Sequence, residues 1–286
     1  MMIRSAWLIV LLALIITLMG GCARMMSNSL LGSTMENLQR QTDIDLVCEG
    51  TPAFLLMLDS MVASNPEDRK LLLNATKAYS GYTAALNACG KPQRAATVST
   101  KARLYGMSLL WECDHLQSVC SVSLAELEQT LAGLDRDDVD LLFWAGNGWA
   151  TWIRYQAGSP ESLVQLPQLE QIMLRILELD ETYYHGGAHL FLGAYYGSKP
   201  PLLGGKPELS RSHFERALSI SNRQFLPALV LYAQTYAKMV FDRELFITLL
   251  QEVIDFPIEN QPDSGLANQV AKHNATKLLG EVDKFF

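Results

Sequence analysis

Apolar residues recur at helical spacing along almost the whole chain, and no stretch beyond Cys22 keeps the alternation of a half-buried strand. Ser123 and Glu126 have the spacing of a capping box, and Lys91-Pro92 precedes a helical run to about Trp111. Further helices are predicted to begin at Pro52 and after Asn65, and at about 137–157, 166–179, 185–197, 207–221, 225–240, 242–255 and 264–285. Because the breaks are short, neighbouring helices should be antiparallel. The pattern predicts an all-α domain.

A degenerate repeat runs through these helices. Four of them carry a small residue three places before an aromatic residue: Thr76/Tyr79, Gly146/Trp149, Gly193/Tyr196 and Ala233/Tyr236. The small residue allows two helices to approach closely, and the ring fills the groove one turn on. LFLGAYYG followed by HFERALSIS is similar to the two helices of a tetratricopeptide repeat. We therefore expect a helix-pair solenoid of degenerate tetratricopeptide-like repeats, with extra N- and C-terminal helices.

The N-terminal residues have the pattern of an export signal. Arg4 precedes an apolar run over residues 6–19, which is shorter than the roughly 20 residues of a membrane span and suits a signal peptide. Gly20-Gly21-Cys22 resembles a bacterial lipobox, although Met19 stands where Leu is usual. We expect a signal peptide over residues 1–21, a lipidated Cys22 with a tether over residues 22–44, and one domain over residues 45–286. An ordinary signal peptide or an uncleaved anchor helix is the alternative. Ala23, in place of Asp, favours the outer membrane over the inner.

Four further cysteines, Cys48, Cys89, Cys113 and Cys120, permit two disulfides in an oxidising compartment, with three connectivities. We favour Cys113–Cys120 as a local bridge, which leaves Cys48 with Cys89. A metal site using His115 is the alternative, but it lacks a second pair of ligands at short spacing.

Composition excludes two broad classes. The formal net charge is −7, so the clustered basic surface of a simple nucleic-acid-binding protein is absent. Hydrophobic residues make up 49% of the chain, which is too many for an intrinsically disordered protein.

Several stretches carry a family resemblance: GTPAFLLMLDSMVASNPEDRKLLLNATKAYSGYTAAL, LLFWAGNGWATWI, LELDETYYHGGAHLFLGAYYGSKPPLLGGKPELSRSHFERAL and VFDRELFITLLQEVIDFP. Together they resemble the T-component family that accompanies some tripartite ATP-independent periplasmic (TRAP) transporters, over most of residues 50–286. The resemblance implies a periplasmic, lipid-anchored protein built on tetratricopeptide-like helix pairs. It also implies association with the substrate-binding P-component and a part in handling hydrophobic or organic-acid ligands.

Three segments are candidate binding sites. Trp144, Trp149 and Trp152 lie on one predicted helix and would line either an apolar ligand cavity or the core between helices. The segment from Tyr183 and Tyr184 to His185 and His189 opens the clearest repeat; two His four apart share a helix face, but no third metal ligand accompanies them. The Pro/Gly connection over residues 197–207 is long for a helical domain. Its Leu202, Leu203 and Lys206 are predicted to contact a ligand or the P-component, with a purely structural crossover as the alternative.

The function expected from the sequence is that of a non-enzymatic, lipid-anchored accessory protein of a TRAP-type transport system. It needs no cofactor, metal or nucleic acid, contacts the membrane through its lipid, and is compatible with a homo-oligomer. The alternative is a general tetratricopeptide scaffold lipoprotein for envelope protein assembly. A hydrolase is disfavoured because the chain contains no Gly-x-Ser-x-Gly nucleophile motif.

Overall fold

The computed structural model describes residues 31–112, 122–156 and 159–286, together with Leu116 and Val119. The chain divides into two units, residues 1–38 and residues 39–286. The described residues of the first unit, 31–38, are helical.

The described part of the second unit contains twelve α-helices and no strand, so the all-α prediction is confirmed. In chain order they are α1 (Ile44–Ser64), α2 (Arg69–Ala85), α3 (Ala95–Trp111), α4 (Leu124–Ala132), α5 (Val139–Tyr155), α6 (Pro160–Leu163), α7 (Leu166–Asp180), α8 (Tyr183–Gly197), α9 (Pro207–Ile220), α10 (Leu226–Tyr232), α11 (Arg243–Asp255) and α12 (Gly265–Gly280). A π-helical turn, Ala233–Ala237, continues α10. The arrangement of these helices as a solenoid of tetratricopeptide-like repeats stays a prediction.

Side-chain caps explain several helix boundaries. The Ser123 hydroxyl accepts the Glu126 N–H and the Glu126 carboxylate accepts the Ser123 N–H, which confirms the capping box at the start of α4. Asp68 caps α2 in the same way, by accepting backbone N–H groups of the first turn.

The predicted start of the first helix at Pro52 is wrong. Helix α1 begins eight residues earlier, because Asp43 accepts the Leu46 N–H at 3.0 Å as its N-cap. Pro52 then lies inside the helix, where it removes one backbone donor. The helix continues through it because Thr51 and Leu55, on either side, are both buried.

Helix α1 is long and apolar enough, by length and composition alone, to cross a membrane, with a mean hydropathy of 1.4 over 18 residues. In the structure it packs against α2. One Asp59 oxygen accepts hydrogen bonds from Tyr79 at 2.9 Å and Tyr105 at 2.5 Å, and Lys101 approaches the other oxygen at 3.3 Å. A disulfide between Cys48 and Cys89 joins the first turns of α1 to the residues after α2. These contacts hold α1 to the helices that follow it.

Helices α3 and α5 make an antiparallel pair through small residues. A Cβ at Gly148 would lie 2.5 Å from the Ala102 carbonyl oxygen, and one at Gly106 would lie 3.0 Å from the Ala145 carbonyl oxygen. The two backbones therefore approach more closely than larger side chains would allow. Helices α8 and α9 make a second such pair, in which the Phe214 ring lies 3.0 Å from the position of a Gly193 Cβ.

Candidate functional site

The α8–α9 pair carries most of the candidate residues. Ser210 donates a hydrogen bond to the Gly193 carbonyl oxygen at 2.7 Å, and its hydroxyl fills the space where a Gly197 side chain would stand. These contacts align the two helices, so that side chains at matching heights meet between them.

Helix α8 begins with a left-handed turn. Tyr184, His185 and Gly186 have φ values of 46°, 61° and 72°. A positive φ is unfavourable for residues with a Cβ, and such strained positions are frequent at functional sites. Packing offsets part of the free-energy cost of this strained turn. Gly186 lies against Ala217, and the Tyr184 ring packs in a cluster of aromatic rings.

That aromatic cluster joins three parts of the fold. The Tyr184 ring lies 4.7 Å from Trp144, 5.2 Å from Phe143 and 5.8 Å from Phe225, measured between centroids. His185 stacks on Phe225 at 4.5 Å, and burial lowers the pKa of its imidazole. At neutral pH His185 is therefore an uncharged member of this cluster.

A polar network borders the cluster. Tyr183 donates a hydrogen bond to Asp140, and the Trp144 indole N–H donates to the Tyr183 hydroxyl at 3.1 Å. Lys77 approaches Asp140 at 3.4 Å and lies 5.0 Å from the centroid of the Trp144 ring. Burial and the Asp140 carboxylate both raise the pKa of Tyr183, so its hydroxyl stays a donor. The network offers one cation, one anion and aromatic surface within a few ångströms.

The three tryptophans do not form one surface. Trp144 belongs to the aromatic cluster, whereas Trp149 is fully buried and donates its N–H to Gln165 at 2.7 Å. Trp152 lies under the Arg103 guanidinium, 4.2 Å from it. The structure therefore brings only Trp144 together with Tyr183, Tyr184 and His185.

Two histidines meet between α8 and α9. The Nδ1 atoms of His189 and His213 are 2.8 Å apart, and His189 Nε2 lies 3.2 Å from a Glu181 oxygen. Arg216 binds both oxygens of Glu181. The Tyr196 ring stacks on His213 at 5.7 Å, and its hydroxyl donates to Glu170 at 2.6 Å. A continuous series of polar contacts thus runs along the α8–α9 helix pair.

The connection between α8 and α9 begins just after Tyr196, the last α8 residue in this series of contacts. Lys206 donates its backbone N–H to the Tyr196 carbonyl at 2.9 Å, and its ammonium lies 5.1 Å from the centroid of the Tyr196 ring. Leu202, on the 3₁₀ turn Pro201–Leu203, is 98% exposed. Within the part of the chain that the structure describes, neither Lys206 nor the exposed Lys199 forms an ion pair.

Comparison with known families decides the identity. The family model for the TRAP transporter T-component matches residues 40–286, nearly the whole chain. The chain belongs to this family. No curated protein matches the chain.

This T-component is therefore an accessory component of a TRAP transport system. Among its described residues no three His, Cys, Asp or Glu side chains come together as a metal site. Some residues with a predicted role lie outside the described residues: Cys22, predicted to be lipidated, and Cys113 and Cys120, predicted to form a disulfide. The side chain of Leu203, a predicted contact residue, also lies outside them.

Sequence reasoning missed the partners of the T-component's candidate residues. It did not single out His213, Glu181 or Arg216, which contact His189 or the carboxylate beside it. The pairing of LFLGAYYG with HFERALSIS indicated that α8 and α9 contact each other. It did not indicate the His–His contact, because antiparallel helices place residues before Gly193 beside residues after Phe214, whereas His213 precedes Phe214.

Proposed function

We propose that this T-component is a lipid-anchored periplasmic protein that docks the substrate-binding P-component of its TRAP system. The match to the T-component family over residues 40–286 is the observation that carries the proposal. The docking surface is the connection between α8 and α9, named here the 198–206 loop. Its helices belong to the tetratricopeptide-like pairing that the repeats predict, as the contact of Gly193 with Phe214 supports.

Exposure and charge support the choice of the 198–206 loop. Leu202 is the most exposed of the large apolar side chains in the described part of the chain. Lys199 and Lys206 add two cations to a chain whose formal net charge is −7. A local apolar side chain beside exposed lysines suits a partner with an acidic rim and a small apolar recess.

The aromatic cluster is the proposed place where a small organic or hydrophobic ligand is handled. Trp144, Tyr183, Tyr184 and His185 supply aromatic surface, and Lys77 with Asp140 supplies opposite charges beside it. This combination suits a ligand that has an apolar body and one polar end.

The docking surface is tested with the double variant Leu202→Ser/Lys206→Glu. We expect its affinity for the purified P-component of the same system to fall at least about tenfold, measured by biolayer interferometry, with helicity and Tm unchanged. The control is Leu56→Ser/Lys70→Glu, which replaces an exposed leucine and an exposed lysine on α1 and α2. Normal binding by the loop variant, or its unfolding, would refute docking at this loop.

The lipid anchor is tested at Cys22. We expect the wild-type protein to incorporate labelled palmitate and to fractionate with the outer membrane, whereas Cys22→Ser accumulates as an unlipidated precursor. Palmitate labelling of the Cys22→Ser protein would show that the lipobox interpretation is wrong. Export with cleavage but no lipid would favour an ordinary signal peptide.

A further inference from the structure

The His189–His213 pair has an unusual geometry for two basic groups. Their Nδ1 atoms are 2.8 Å apart, a hydrogen-bond distance that requires one nitrogen to donate and the other to accept. His189 is buried, and its second nitrogen faces a carboxylate, Glu181. Since Glu181 can only accept, His189 Nε2 carries a hydrogen.

The number of protons on the pair decides whether this contact survives. In the neutral pair His189 Nδ1 is the acceptor, and His213 Nδ1–H donates to it. One added proton is tolerated, because a charged His189 can donate to His213 instead while Glu181 faces its other side. A second added proton places a hydrogen and a positive charge on both Nδ1 atoms. The hydrogen bond is then lost, and two like charges face each other.

The charged groups that face the pair come from α7, from the residue after its end and from α9. Helix α7 supplies Glu170, through the Tyr196 hydroxyl, and Glu181 follows the end of α7. Arg216 of α9 binds Glu181 and holds the pKa of this carboxyl at about 2, with His189 as the second cause. Glu181 is therefore ionised throughout the range that matters, and its charge is shared between Arg216 and His189.

The pair is connected to the 198–206 loop by one aromatic ring. Tyr196 stacks on His213 and lies under the Lys206 ammonium, and its carbonyl accepts the Lys206 N–H. When His213 is charged, the Tyr196 ring has two cations in contact with it, and these repel each other. Lys206 is the exposed one of the two, so its ammonium is the one expected to move away from the ring.

We propose that the His189–His213 pair is a proton-sensitive switch, which holds α8 against α9 when neutral and releases the 198–206 loop when both imidazoles are protonated. The switch regulates the docking surface proposed above and rests on that proposal. Acid therefore weakens the hold on the P-component. Burial, with the adjacent His189, lowers the pKa of His213 to about 4, and burial lowers that of His189, so the second proton enters only in acid.

The first test follows the switch without any partner. Hydrogen exchange of the full-length protein is measured between pH 7 and pH 4 and corrected for the intrinsic pH dependence of exchange. We expect protection of residues 194–210 to fall at least about tenfold in the wild type. In His213→Asn, whose amide keeps the donor to His189 but cannot take a proton, the fall should be less than about twofold. His273→Asn, at an exposed histidine of α12, is the matched control and should behave as the wild type.

A titration of the wild-type imidazoles by NMR needs no variant and covers the case in which His213→Asn does not fold. The pair should titrate in two separated steps, the second near pH 4. Two independent titrations near the ordinary histidine pKa would overturn the switch. Equal loss of protection in the wild type and in His213→Asn would do the same.

The second test separates the switch from the docking proposal. Binding of the purified P-component is compared at pH 7 and pH 4 in the wild type and His213→Asn, so that any titration of the P-component itself cancels. Because a group with a pKa of about 4 is half protonated at pH 4, we expect the wild type to lose about twofold more affinity than the variant. Absence of binding at pH 7 would refute docking and leave hydrogen exchange to judge the switch. Equal losses in both proteins would refute the regulation of docking.

Discussion

At the scale of single residues, the start of α8 combines strain with burial. Three successive residues, Tyr184, His185 and Gly186, have a left-handed backbone, which costs of order 1–3 kcal/mol for each residue with a side chain. The rings of Phe143, Trp144 and Phe225 around Tyr184 offset part of this cost. The turn also directs Tyr183 to Asp140, so its strain positions the polar network beside the cluster.

The stability of the fold should depend on pH through His213. Its pKa is about 4 in the folded protein and near 6.5 when unfolded, so between these values the unfolded chain binds the extra proton. The free energy of unfolding therefore falls as pH is lowered from about 6.5 to 4, by roughly 1–2 kcal/mol after solvent screening is allowed for. Urea unfolding at pH 7, 5.5 and 4.5 measures this, and His213→Asn should show a flatter dependence. Parallel curves for the two proteins would contradict the assignment.

The residues of the candidate site were only partly predictable. Tyr183, Tyr184, His185 and His189 stood out because they open the clearest repeat in the sequence. The contacts that these residues make could not be predicted. The left-handed turn at Tyr184 and His185 has no signature in the sequence, because local propensity there favours a helix. Trp149 and Trp152 share a helix with Trp144, but helical spacing shows only which face a residue takes, and neighbouring helices decide what it meets.

At the scale of elements, glycines set the distances between helices. Gly148 of α5 lies against the backbone of α3, where a Cβ would stand 2.5 Å from the Ala102 carbonyl oxygen. Gly81 of α2, by contrast, has nothing within 4 Å of its Cβ position. The same residue type therefore has opposite consequences at two helix-interior sites.

Substitution of these glycines by alanine tests the packing of α3 against α5. Gly148→Ala should lower the free energy of unfolding by about 2–3 kcal/mol, because backbone atoms of α3 must move. Gly81→Ala should be neutral or raise it by about 0.5–1 kcal/mol, because alanine favours the helix and meets no neighbour. Chemical denaturation of both variants measures the difference. A similar effect at the two positions would show that α3 and α5 are less close than described.

Most helix boundaries were predictable because local signals agree with the fold. Ser123 with Glu126 and Pro207 after a glycine-rich connection mark the starts of α4 and α9 correctly. Pro52 misled because proline is typical of a first turn, while here the Asp43 cap and buried side chains extend α1 beyond it. The π-helical turn after α10 was not predictable either, since it inserts one residue into a regular pattern.

At the scale of the whole molecule, the family match and the surface support one account. The T-component family places the chain in a TRAP transport system, and the 198–206 loop presents Leu202 and two exposed lysines on an acidic protein. The sequence predicted this loop from its length and its prolines and glycines. The connection of the loop to the His189–His213 pair needed the three-dimensional register of α8 and α9.

Photo-crosslinking in cells tests docking most directly. The full-length protein carries p-benzoylphenylalanine in place of Leu202, and a control protein carries it in place of Leu56, which is also exposed but lies on α1. The account predicts that irradiation joins the P-component to the protein substituted at Leu202 and not to the one substituted at Leu56. Adducts with unrelated envelope proteins at Leu202, or equal P-component adducts from both positions, would contradict it.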